Sequence, residues 1–388
     1  MLRNKTFVLT GIIILFAAGC IEPYVPRINV EPGDHFVVSG EVTDQEGYQN
    51  INISMASPLN DPGYIPVNGC QVEILDDKDH LFECYEYGSG KYRVWMDADF
   101  LSSGTAYKVR IITPDGEEIV SSYDRMPESP GVDSVFYERE EMPTNVPGEN
   151  IPGLQFYLNL NAGENDSRYY RWTAEETWEY HAPYPLEYYY EGSIKQVSPP
   201  DYSNMVCWAT NKISRIFTLS TNNLITNSYA KLPLHFVDKT TTKLYTGYCL
   251  TLRQYAMSEA AYDFWEKLRI NSEERGGLYE HQPLPVEGNL ENTTFPDHKV
   301  LGYFGASSFS MKRIFIEGIR DMGIYYDSIC APYALGKGGW KEFPPEQWPV
   351  FLIYIRYGNF RFLRIIDQGC VDCRVNGGVT VKPDFWKW

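Results

Sequence analysis

The sequence predicts a mainly β protein in two parts. The first is an immunoglobulin-like or prealbumin-like β-sandwich over residues 35–126, and the second is a larger β-rich domain over residues 132–388 with one clear α-helix near residues 258–275. Three observations carry this reading. Aromatic residues make up 15% of the chain, with 30 tyrosines, a usage that favours strands. Seven short alternating segments, separated by turn residues, fall within about 90 residues near the start. A single stretch carries helical periodicity together with a start signal and a stop signal.

Residues 1–19 read as a signal peptide. Arg3 and Lys5 open it, an apolar run follows from Phe7 to Ala18, and Ala17-Ala18-Gly19 lead into Cys20. The apolar run falls short of the roughly 20 residues that a membrane-spanning helix needs. Small residues followed by a cysteine predict cleavage before Cys20 and acylation of its thiol; Ala17-Ala18-Gly19 would also suit an ordinary signal peptidase. Residues 20–34 then form a lipidated tether, with three prolines and few helix formers. The leader holds two of the 34 basic residues and none of the 51 acidic ones, so its loss makes a chain of net charge −17 more acidic still. An acidic surface repels phosphate, which argues against a nucleic-acid partner.

Strands are expected at His35–Thr43, Asn50–Ser57, Cys70–Leu75, Leu81–Tyr87, Lys91–Met96, Ala106–Thr113 and Glu117–Ser122. Pro127-Glu128-Ser129-Pro130-Gly131 marks a boundary. Beyond it, strands resume at Asp133–Glu138 and Leu154–Leu160. A long strand then runs from Tyr169 to Tyr180, with Tyr170, Trp172, Ala174, Trp178 and Tyr180 on one face. Residues 183–203 hold four prolines and the run Tyr188, Tyr189, Tyr190, and read as a long aromatic loop. Strands follow at Ile213–Leu219, Leu232–Phe236 and Lys243–Tyr255. The helix has Ser258 as N-cap, Glu259 in the first turn, Ala261, Trp265 and Leu268 along one stripe, and Gly276-Gly277 as its stop. The last strands are Val300–Ala306, Lys312–Ile316 and Val350–Ile355.

Seven cysteines remain after Cys20, and an exported chain meets an oxidising compartment. Cys70 and Cys84 flank a hairpin with the turn Asp76-Asp77-Lys78-Asp79, which places them nearly opposite each other and makes them disulfide candidates. Cys370 and Cys373 are also disulfide candidates, joined to each other or to Cys330 or Cys207. The turn-like Arg374-Val375-Asn376-Gly377-Gly378 that follows does not suit a redox pair at a helix start. The six histidines have no metal-ligand spacing, and no cofactor motif or nucleophile elbow is present, so no catalytic residue and no metal ligand is assigned. The pairs Glu140-Glu141 and Glu175-Glu176 read as solvated surface, because neighbours on a strand point to opposite faces. Tyr188, Tyr189 and Tyr190 are candidate ligand-binding residues, since their rings could stack on a sugar or a peptide side chain.

Several passages resemble the Bacteroidota lipoproteins catalogued as domain-of-unknown-function family 4249. Phe36-Val37-Val38-Ser39-Gly40, Val132-Asp133-Ser134-Val135-Phe136-Tyr137, Tyr169-Tyr170-Arg171-Trp172 and Cys207-Trp208 carry the early part. The dense part runs from Ser258 through Phe264-Trp265, Gly276-Gly277-Leu278, Gln282-Pro283 and Glu287-Gly288-Asn289-Leu290 to Leu301-Gly302-Tyr303-Phe304. It ends at Cys370-Val371-Asp372-Cys373-Arg374, Gly377-Gly378 and Lys382-Pro383-Asp384-Phe385-Trp386. The resemblance implies cell-envelope residence and association with SusC-like TonB-dependent transporters and SusD-like lipoproteins. It implies no catalytic residue. The expected role is therefore an accessory subunit of an outer-membrane importer of peptides or glycans, lipid-anchored and facing the cell surface. Only Glu22 supplies an acidic residue just after Cys20, so the periplasmic face is the alternative. A free-standing surface glycan- or peptide-binding lipoprotein is the second reading. A hydrolase is the third, and it would need two carboxylates facing each other across a cleft about 5–9 Å apart.

Overall fold

The computed structural model describes residues 35–58, 62–273, 285–324, 330–334, 336 and 339–388. The leader, Cys20, the tether and the Gly276-Gly277 stop lie outside the described residues. The fold is mainly β, as expected, with one α-helix among the described residues, α1 (Glu259–Glu273). The strands of the first part match their sequence signals closely: Phe36–Thr43, Gly47–Met55, Gln71–Asp76, Leu81–Gly88, Lys91–Met96, Ala106–Ile112 and Glu118–Ser121. Alternation turns one face of each inward, only half-buried in Leu81–Gly88, and Val38, Ile51, Ile53, Ile74, Tyr92, Tyr107, Val109 and Ile111 meet in one core.

That core is completed from far along the chain. Leu290, Val300, Phe304 and Ala306 join it. The last three sit on Val300–Glu317, an 18-residue strand where the sequence predicts two separate ones. Its first half pairs in parallel with Phe36–Thr43, from Phe36 opposite Val300 to Thr43 opposite Ser307. Its second half pairs antiparallel with Gly247–Ala256, from Ala256 opposite Ser308 to Gly247 opposite Glu317. The two predicted strands leave a gap from Ser307 to Met311, yet the chain stays extended there and changes partners between Ser307 and Ser308. The sheet is thereby continuous from the first part into Tyr169–His181 and Val206–Ser220. Gly302 makes the close pairing possible. Its φ is +101°, and a Cβ there would lie 1.9 Å from the Val38 carbonyl oxygen.

A second core packs the inward face of this far sheet against the three-stranded sheet Ser134–Pro143, Asn150–Asn161 and Ser228–Asp238. Tyr170, Trp172 and Ala174 are buried in it, as the period-2 pattern predicts. Glu176 continues the same face and is also buried, which corrects its assignment to solvated surface. Its carboxylate accepts hydrogen bonds from the Tyr248 hydroxyl (3.1 Å) and from Lys243, and lies 3.3 Å from His235 Nε2.

Two disulfides, Cys207–Cys373 and Cys330–Cys370, tie the C-terminal segment down. Cys370 and Cys373 are thus both bonded, but to distant partners and not to each other. Cys70 and Cys84 are free thiols, which corrects the predicted pair. The hairpin and its turn are as expected, but the register sets Val72 opposite Cys84. Two residues further out, Cys70 comes abreast of Glu86 instead.

Candidate functional site

Where the long strand changes partners, each pairing ends and leaves backbone donors without a ladder acceptor. Carboxylates from the first part accept from them. Asp124 Oδ2 takes the Ala306 N–H (2.9 Å) and Asp44 Oδ1 takes the Phe309 N–H (2.8 Å). Glu41 takes the Ser307 hydroxyl (2.7 Å) and both its oxygens accept from Arg171 Nη2 (2.9 and 2.7 Å). Arg171 is on Tyr169–His181 and is only 6% exposed. Its guanidinium lies between the rings of Tyr255 and Trp265, 4.3 Å from each centroid. Nε has no hydrogen-bond partner among the described residues.

Helix α1 is set in place by the same group of residues. Ser258 caps it, accepting the Ala261 N–H at 3.1 Å, as the sequence predicts. The same serine hydrogen-bonds to Asp124. Burial pushes the Asp124 carboxyl above its ordinary value, and the hydrogen bonds from Ser258, Ala306 and Tyr303 pull the other way without cancelling it. Burial and the nearby Asp124 charge likewise push the Tyr303 hydroxyl up. Ala261 and Phe264 pack against Met257 and Tyr303, while Trp265 and Leu268 lie at the edge of that cluster.

Between this helix and the outward face of the first sheet runs a groove of about 660 Å³. Its lining is mostly apolar, from Val37, Leu301, Met257, Phe264, Trp265 and Leu268, with Ser39, Asn50, Asn52 and the Glu41–Arg171 pair as its polar groups. Trp265 and Leu268 form one wall, and Tyr48 marks the other. Tyr48 opens onto an exposed aromatic surface. Trp95, 49% exposed, stands edge-on to it at 5.1 Å, and the Arg93 guanidinium lies over the Tyr48 and Tyr87 rings at 4.1 and 4.4 Å. A mostly apolar lining that includes Trp265 and Tyr48, with a few amide and hydroxyl groups, suits an amphipathic ligand whose flat faces stack while its edges hydrogen-bond.

The residues singled out in the sequence lie elsewhere. Tyr188, Tyr189 and Tyr190 are not in a loop but on the strand Leu186–Tyr190, paired with Ile194–Asp201 and Val350–Tyr357. Tyr188 and Tyr190 pack into a small core around Leu352, edge-on to Tyr354 (5.0 Å) and Trp348 (5.8 Å). Strand alternation sends Tyr189 to the other face. The three rings are therefore divided between two faces of a strand, which corrects their placement in a loop. Burial pushes the Cys84 thiol up to about 12, so it carries no reactive thiolate at neutral pH. Glu175 pairs with Arg253, whereas Glu140 and Glu141 lie toward the surface. Among the described residues, no three His, Cys, Asp or Glu side chains come close enough to hold a metal ion.

The groove residues themselves carry little local signal. Trp265 reads as one position of an apolar helical stripe, and Arg171 as a polar residue between two buried aromatics. Their meeting with Glu41 is set by the parallel pairing of Phe36–Thr43 with Val300–Glu317, which spans more than two-thirds of the chain.

Comparison with known proteins decides the family. Residues 21–313 match the family described as "Domain of unknown function (DUF4249)". The chain belongs to this family. All the groove-lining residues lie within the matched segment. No curated protein matches the chain.

Proposed function

We propose that this DUF4249 protein is a lipid-anchored binding protein of the cell envelope. In this reading it serves as an accessory subunit of an outer-membrane SusC/SusD-like nutrient importer, and holds a peptide or glycan in the groove beside α1. The observation that carries the reading is the groove itself. It has a mostly apolar lining with a few neutral hydrogen-bonding groups, and its charged groups, Glu41 and Arg171, are paired with each other. Such a surface can hold a ligand and offers no group poised to attack it. The leader and Cys20 support an envelope location, and acylation there would keep the groove beside a transporter.

The deciding experiment is gentle-detergent purification of the full chain from its native membranes, with crosslinking, followed by identification of what accompanies it. Recovery of a transporter with its lid lipoprotein is expected. Recovery of the chain alone rejects the importer role. The groove is complete within one chain, which favours the second reading, a free-standing surface binder. That reading predicts binding to glycan or peptide arrays without any partner, and weaker binding by the Asn52→Ala and Tyr48→Ala variants.

A further inference from the structure

A second feature lies outside the segment matched to the family, on the hairpin Val350–Tyr357 and Phe360–Ile365. Its base is held firmly. Val350, Leu352 and Ile365 are buried with Tyr188 and Tyr190, and Ile353 packs with Ile366 against Cys370. The ladder to Leu186–Tyr190 ends at Leu352, however, and the residues beyond it pair only with each other. The ribbon turns at Gly358, φ +59°. At this end Tyr357 is 82% exposed and Phe360 70% exposed, with Tyr354 and Phe362 also outward. Exposed rings grouped on one short ribbon, with Phe360 and Phe362 6.3 Å apart, mark a contact surface where a single exposed ring would not.

The charge of the segment is as unusual as its exposure. Residues 350–366 contain Arg356, Arg361 and Arg364 and not one acidic side chain, in a chain whose net charge is −17. Arg356 and Arg361 flank the tip and are exposed. Aromatic rings between arginines at the end of a narrow ribbon match the interface of a bilayer. The rings enter the headgroup layer, and the guanidinium forks take lipid phosphates. A folded protein partner fits less well, because a stable interface needs about 800 Å² from each side and a two-residue tip offers a small convex wedge.

We infer that the 354–362 hairpin tip is a membrane-contact site that binds anionic phospholipid headgroups at a bilayer surface. The rest of the acidic surface is repelled by such a bilayer, so the tip selects which side of the protein faces it. With an acyl chain on Cys20 the protein would have two attachments, and the hairpin would fix orientation where a single tether cannot. This inference does not depend on the importer role.

The test uses the full chain with Cys20→Ser, so that no acyl chain contributes, and measures co-sedimentation with vesicles. Vesicles of phosphatidylcholine mixed with phosphatidylglycerol are compared with vesicles of phosphatidylcholine alone, at low and high salt. Salt-sensitive binding to the anionic vesicles is expected. Arg356→Ser with Arg361→Ser should weaken it about 25-fold, at roughly fivefold for each arginine near the surface. Tyr357→Ser with Phe360→Ser should weaken binding even at low salt. Arg139→Ser with Arg320→Ser removes the same charge elsewhere on the surface and should leave binding close to the parent value. Thermal unfolding of each variant should match the parent, since all the altered side chains are exposed. The inference is overturned if the parent chain does not bind, if the hairpin and control pairs lose binding equally, or if the hairpin variants keep vesicle binding but lose a co-purifying protein.

Discussion

Replacing Arg171 by Met tests whether the contact between the two parts of the sheet is held by charge. Methionine keeps much of the volume and removes the guanidinium. The Arg171 side chain is 7% exposed and that of Glu41 28%. Breaking a fully buried ion pair by removing one partner costs about 3–5 kcal/mol, and the partial exposure of Glu41 lowers this to about 2–3 kcal/mol. Loss of the guanidinium between Tyr255 and Trp265 adds about 0.5–1 kcal/mol for each ring. The expected total is about 3–5 kcal/mol, read as a lower urea midpoint at unchanged slope. The decisive measurement is the cycle with Glu41→Gln. In the double variant no unpaired carboxylate is left, so its loss should be smaller than the sum of the single losses by about 2 kcal/mol. If the two losses add to within about 0.5 kcal/mol, the ion pair does not join the two parts and the reasoning fails.

Three further outcomes follow from buried contacts. Burial alone would raise the Glu176 carboxyl, but the hydrogen bonds and charges of His235 and Lys243 outweigh it and hold the folded value below the ordinary 4.5. The folded state therefore takes up this proton less readily than the unfolded chain. Its stabilisation is present above pH 4.5 and is lost as pH falls through the lower folded value, so Glu176→Gln should flatten the acid limb of a stability–pH curve; an unchanged limb would contradict it. Cys207→Ser with Cys373→Ser opens a crosslink spanning 166 residues and should cost about 3–5 kcal/mol in chemical unfolding, with no free-thiol signal from these positions in the parent protein. Trp386 is buried against Trp208 and Cys249 and donates its indole N–H to Glu179 (3.0 Å), so Trp386→Ala should lower stability by about 3–5 kcal/mol. It should also speed maleimide labelling of Cys249, whose thiol burial holds up at about 11, and a labelling rate equal to that of the parent would count against the C-terminal cover.

Much of the fold can be read from local pattern. Lys91–Met96 has the bounds its alternation predicts, and Ser258 caps the helix that its spacing to Ala261, Trp265 and Leu268 predicts. What local pattern cannot supply is pairing over distance. Leu186–Tyr190 is half-buried because Val350–Tyr357 reaches it from about 160 residues away, and the surrounding prolines make the stretch look like a loop. Cys70 and Cys84 show the same limit at short range. A hairpin turn placed correctly in the sequence still leaves the register open by two residues, and two residues decide whether two thiols meet. The groove is the extreme case. Its floor, its buried arginine and its helical wall come from segments near residues 40–52, 171 and 257–268, and none contains a motif by itself.

Trp265 connects groove and stability, and this gives a way to separate ligand binding from folding. One face of its ring covers Arg171, while the residue also lines the groove. A Trp265→Ala change should therefore weaken both the fold and ligand capture. Trp265→Phe keeps a ring over the guanidinium but shortens the wall, so it should lose little stability, about 1 kcal/mol, and still lower ligand affinity. Because Trp265 and Arg171 touch, their effects on stability should not add: in an Arg171→Met background the stability cost of Trp265→Phe should shrink, the guanidinium it covers being gone. Asn50 and Asn52 lie on a separate strand, and Asn52→Ala should lower affinity with the urea midpoint unchanged. Equal loss of stability in Asn52→Ala and Trp265→Ala would mean that the groove is only a seam in the packing, and the binding role would fall with it.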